Sequence, residues 1–72
     1  MADKVYISTE YITLGQFLKL SSVIDTGGMA KPFLAEVPIM VNGEKENRRG
    51  RKLYPDDLVV IEGYGSYQVA VR

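Results

Sequence analysis

Seventy-two residues, with nine basic and nine acidic side chains, give a chain of zero formal net charge that is 46% hydrophobic and lacks both cysteine and histidine. That length leaves room for a single domain, residues 1–72, and folding at this size buries only about 60% of the surface that the unfolded chain exposes. Disulfide staples, thiol nucleophiles, imidazole bases and cysteine or histidine zinc sites are excluded, so the core has to come from ordinary apolar packing.

In chain order, Lys4-Val5-Tyr6-Ile7 alternates with period two and predicts a short strand. Thr13 opens a helix with two start signals. Thr13 and Gln16 have the spacing of a capping box, and Ile12 and Phe17 flank it at the positions of a hydrophobic staple. Leu14, Phe17 and Leu18 then form one apolar face, with Gln16 and Lys19 off it. A second helix is expected from about Asp25-Thr26-Gly27-Gly28 to Glu36, with Asp25 or Thr26 as N-cap and Met29, Phe33, Leu34 and Val37 as its apolar stripe. Pro32 costs little only within the first turn, which moves the regular helix as late as Gly28 or Met29.

From Pro38 the pattern turns to strands. Ile39-Met40-Val41 leads into the hairpin turn Asn42-Gly43, with Glu44–Asn47 returning as the partner strand. Gly50 breaks that strand, and Tyr54-Pro55-Asp56-Asp57 makes another turn. Leu58–Glu62 reads as a buried strand, and Tyr67, Val69 and Val71 alternate with Gln68, Ala70 and Arg72 in a last one. The order predicts an α+β fold, two short helices on a small, mostly antiparallel sheet of three to five strands. The longest aliphatic run, Leu58-Val59-Val60-Ile61, is too short to cross a bilayer, and Met1-Ala2-Asp3-Lys4 runs into the first strand without the apolar stretch of a signal peptide. A cytoplasmic protein with no membrane partner is expected.

Candidate chemistry is sparse. The carboxylate pairs Glu44/Glu46 and Asp56/Asp57 lie beside turns and read as solvated acids. Gly27-Gly28 and Gly63-Tyr64-Gly65 lack the context of a nucleotide loop. No catalytic residue, cofactor or metal site is expected. The basic cluster is the stronger feature: Arg48, Arg49, Arg51 and Lys52 put four positive charges in five residues. Such crowding is repulsive, so a polyanionic partner accounts for it better than stability does. The arginine fork pairs two phosphate oxygens at once. The competing reading is a solvated loop balanced by Glu44, Glu46, Asp56 and Asp57. If the cluster serves phosphate, its side chains should stay open instead of each being tied to a neighbouring acid. Replacing all four by alanine should then remove binding and leave the fold intact. Lys31 adds a second basic point in the second helix, where Gly27-Gly28 leaves the helix start open to phosphate. Only Tyr54 among the aromatics adjoins the basic run, which favours backbone and shape recognition over base stacking.

Taken together, Thr26-Gly27-Gly28-Met29-Ala30-Lys31, Val41-Asn42-Gly43-Glu44, Arg48-Arg49-Gly50-Arg51-Lys52-Leu53 and Asp57-Leu58-Val59-Val60 resemble the S4-type RNA-binding domain. More narrowly, they resemble its small stand-alone bacterial branch, the YaaA-like proteins. The resemblance covers about residues 12–62. It implies two helices on a small sheet and a structured RNA partner, a stem or stem-loop such as those of ribosomal or transfer RNA. It also implies RNA-binding roles for Lys31, Asn42, Arg48, Arg49, Arg51 and Lys52, and work as an adaptor or assembly factor. Pro32 and Asp56 depart from the family pattern, Asp56 standing where a glycine commonly precedes the aspartate. The alternative class is a protein-interaction module without direct RNA contact.

Overall fold

The two alternating segments at the ends of the chain are partners. In a computed structural model, which describes residues 2–71, β1 (Asp3–Ile7) runs parallel to β7 (Gly65–Val71), with Val5 opposite Val69. The remaining elements are β2 (Ile12–Thr13), α1 (Leu14–Leu20), a 3-10 turn (Gly27–Met29), α2 (Ala30–Glu36), β3 (Ile39–Val41), β4 (Glu44–Lys45), β5 (Lys52–Leu53) and β6 (Leu58–Ile61). Five strands make a mixed sheet in the order β1-β7-β6-β3-β4, and β2 pairs with β5 in a separate antiparallel ladder. Two helices on a small, mostly antiparallel sheet is the predicted class. The parallel pair and the second ladder add to it.

Period-two alternation puts Val5, Ile7, Ile39, Val41, Val59, Ile61 and Val69 on one face, buried. Leu14, Phe17 and Leu18 of α1 are fully buried in the same cluster, joined by Ala30 and Leu34 of α2. The Phe17 ring meets Tyr67 edge-on at 6.2 Å. The capping box is present: the Gln16 amide donates to Thr13 Oγ1 and the Thr13 amide donates to Gln16 Oε1. Among the described residues, no helix is long and apolar enough to cross a membrane.

Several expectations change. The second helix starts at Ala30, so Pro32 falls in its first turn, where a proline lacks nothing that the helix needs. Thr26 precedes the 3-10 turn but makes no side-chain cap bond, and Met29 is 43% exposed, leaving Ala30 and Leu34 as the buried stripe. The amides of Met29 and Ala30 donate to Thr26 and Gly27 carbonyls, so that segment is less open to an anion than expected. β6 alternates, with Val59 and Ile61 inward and Leu58 and Val60 exposed, because only one face of the sheet is covered. β4 ends at Lys45, two residues short of Asn47. Arg72, expected in the last strand, lies outside the described residues.

Both predicted turns form. Asn42 (φ 52°) and Gly43 (φ 86°) take the left-handed pair of angles that a two-residue hairpin requires. In the second turn Asp56 has φ 78° and the Asp57 amide donates to the Tyr54 carbonyl at 3.0 Å. Asp56 therefore occupies a backbone geometry that glycine favours.

Candidate nucleic-acid interface

A helix leaves its first amides without intrahelical acceptors. In α1 these amides organise the basic loop: Leu14 donates to the Arg51 carbonyl and Gly15 to the Arg49 carbonyl, both at 2.8 Å. The loop therefore passes close to Gly15. A Cβ there would stand 3.4 Å from both the Arg49 Cβ and the Arg49 carbonyl oxygen, at the close end of ordinary contact. A shallow groove follows, lined by Gln16 and Lys19 of α1, Gly27 of the 3-10 turn, and Arg49 and Gly50 of the loop.

The other brace is Glu46. It is only 8% exposed and accepts from the amides of Asn47 and Arg48 at 3.1 Å. Arg48 grips it as a fork, Nε and a terminal nitrogen each at 2.9 Å, and Arg51 adds a third guanidinium bond at 2.8 Å. The Arg48 and Arg51 guanidinium groups hold the Glu46 carboxyl far below the usual carboxylate range, outweighing the opposing effect of burial. The same carboxylate raises the Arg48 pKa. Glu46 is thus a buried counter-ion, and the expectation of a solvated acid beside the turn is corrected.

The basic cluster divides in two. Arg48 and Arg51 share one carboxylate, so together with Glu46 they carry one net positive charge, and the Arg48 side chain is still 73% exposed. Among the described residues Arg49, Lys52 and Lys31 enter no ion pair, and all three are exposed. Lys52 instead places its ammonium 4.9 Å from the centre of the Tyr11 ring. An open cationic surface therefore remains, although half of the cluster is tied internally. From the sequence, alanine at all four positions is expected to spare the fold; the pairing of Arg48 and Arg51 with Glu46 instead predicts a cost at those two, because their loss would strand a buried carboxylate. Lys31 follows Ala30, which lines the groove beside Arg49.

Asn42 is engaged within the fold. Its carbonyl oxygen accepts from the Leu58 amide at 2.9 Å and its amide group donates to Asp57 Oδ1 at 3.1 Å. Asp57 Oδ2 also accepts from the Tyr54 amide at 2.8 Å. The Asn42 side chain thereby joins the hairpin turn to the Pro55 turn.

The S4 domain family model matches residues 5–70, almost the whole chain. The chain belongs to the S4 domain family. This S4 domain is 64% identical over 69 residues to the probable ribosome maturation protein RlbA of Bacillus subtilis (strain 168), covering 96% of this chain and 97% of that protein. No solved structure matches it.

Sequence reasoning missed Glu46, Gly15 and Tyr11. A signal for Glu46 existed in hindsight: an acid directly before a loop can accept that loop's first amides, as Asp and Asn do in turns. Gly15 shows no punctuation role in the sequence, since it sits inside a helix and meets Arg49 only in the folded chain.

Proposed function

We propose that this S4 domain, acting over residues 1–72 as one unit, is a cytoplasmic, non-catalytic binder of structured RNA that works in ribosome maturation. The observation that carries this reading is a set of open cations: Arg49 on a loop braced by Glu46 and the start of α1, Lys52 in β5 just after that loop and Lys31 in α2 have no acid partner among the described residues. Their partner is a stem or stem-loop of ribosomal or transfer RNA, recognised through backbone phosphates. Arg48 and Arg51 add their remaining donors while holding the loop, and Asn42 contributes from the turn that its side chain holds in place. The relative's name, a probable ribosome maturation protein, supports the ribosomal setting.

Catalysis has little to work with. Of the two carboxylate pairs, Glu46 is consumed by arginines and Asp57 by Asn42 and the Tyr54 amide. A titration of a ribosomal stem-loop at several salt concentrations tests the reading. Arg49, Lys52, Lys31 and the net charge of the Arg48–Glu46–Arg51 group make four effective charges, so log K should fall against log salt with a slope of about −3 to −4. A flat response would overturn RNA binding and favour a protein-interaction module.

A further inference from the structure

We propose that Tyr11 and Tyr54 form a stacking platform for an unpaired nucleobase flanking the bound stem. This rests on the RNA reading above and extends it from phosphate contact to base contact.

The platform follows from strand register. β2 and β5 pair with Ile12 opposite Leu53 and Thr13 opposite Lys52. Continued by one residue, the same ladder sets Tyr11 opposite Tyr54. Alternation then sends Ile12 and Leu53 to the core, Leu53 fully buried, and Tyr11, Tyr54 and Lys52 to the other face. The two rings meet there, centroids 5.8 Å apart and tilted by 46°, at 39% and 45% exposure. The Thr9 hydroxyl donates to the Tyr11 carbonyl at 2.7 Å and steadies the entry to the ladder. Two aromatic side chains are thus left out of a small core, in contact with each other, on the face that carries a cation of the basic loop.

Charge complementarity and continuity select the occupant. Lys52 is both a member of the basic run and the cation over Tyr11. Tyr54 lies two residues further along, about 7 Å at strand rise. A chain whose phosphate meets Lys52 therefore has its next base within reach of the tyrosines. Aromatic faces accept any base, so the platform selects unpaired nucleotides without selecting their sequence. A protein partner would use the aromatic area but leave the ordered neighbouring cations without a polyanion. The sequence alone could not show this, because Tyr11 lies far from the basic run along the chain.

An aromatic cross-strand pair also steadies a short ladder, so the test needs a readout that stability does not move. The probes are an RNA stem-loop with a blunt end and the same stem-loop with a single-stranded extension carrying 2-aminopurine. Wild type should bind the extended RNA roughly tenfold more tightly, within the range of one stacked base, and quench the 2-aminopurine. Tyr11→Leu with Tyr54→Leu should lose that gain and the quench while keeping affinity for the blunt stem-loop. Tyr54→Phe should retain both. Should the double variant fail to fold by circular dichroism, Tyr54→Leu alone is read the same way. Equal wild-type affinity for the two RNAs, or a gain that survives the leucines, overturns the platform and leaves phosphate binding standing. Absence of binding to either RNA overturns both readings.

Discussion

A carboxylate that accepts hydrogen bonds from two amides and two guanidinium groups is held in its charged form, and Glu46 is such a group. Its pKa lies well below the ordinary 4.5 in the folded protein, while in the unfolded chain it returns to that value. A lowered folded pKa contributes stability that is fully present above pH 4.5 and is lost as the pH falls below it toward the folded value. Glu46→Gln should therefore cost about 1–3 kcal/mol at neutral pH, with the deficit shrinking as unfolding is measured at lower pH. Urea unfolding of both proteins at pH 7 and pH 3 checks this, and an unchanged difference would show that the charge of Glu46 does not stabilise the fold. At this scale the sequence was least informative. Glu46 stands next to a turn with the composition of a solvated segment, and only folding shows that Arg48 and Arg51 converge on it from two and five residues away.

Between elements, the ties run from turn to turn and from helix start to loop. The Asn42-Gly43 hairpin, the Pro55 turn and the Thr13 cap were each legible because every one depends on a few adjacent residues. The Asn42–Asp57 bond was not, since it joins positions 15 residues apart. The parallel pairing of β1 with β7 was hidden for the same reason: alternation announces a strand without naming its neighbour. The clasp makes a definite prediction. Asn42→Gly keeps the left-handed turn geometry and removes the side-chain bonds, and Asp57→Ala removes the same clasp from the other side. Each should cost about 1–2 kcal/mol, and the double variant should cost less than the two added together, because they share one interaction. Strict additivity in denaturant unfolding would mean that the two turns are held independently.

For the molecule as a whole, a net charge of zero conceals a division of labour. The basic run was legible from its density, but its internal split was not, because pairing depends on which side chains the buried Glu46 reaches. Arg49 and Lys52 are exposed and have no acid partner among the described residues, whereas Arg48 and Arg51 are part of the loop's own frame. The two halves should separate under mutation. Arg49→Ala with Lys52→Ala should leave the unfolding transition nearly unchanged, as exposed substitutions do, and weaken stem-loop binding while making the salt slope shallower by about 1.5, the share of two phosphate contacts. Arg51→Ala should lower stability by about 1–3 kcal/mol, since it takes a charged donor from a buried carboxylate, and should weaken binding through a loosened loop with a smaller change in slope. Thermal unfolding and salt-dependent binding of the same two variants give both coordinates. If Arg49 and Lys52 proved the destabilising pair, or if both variants moved the slope equally, the loop would be a single undivided cluster and the separation of frame from contact surface would be wrong.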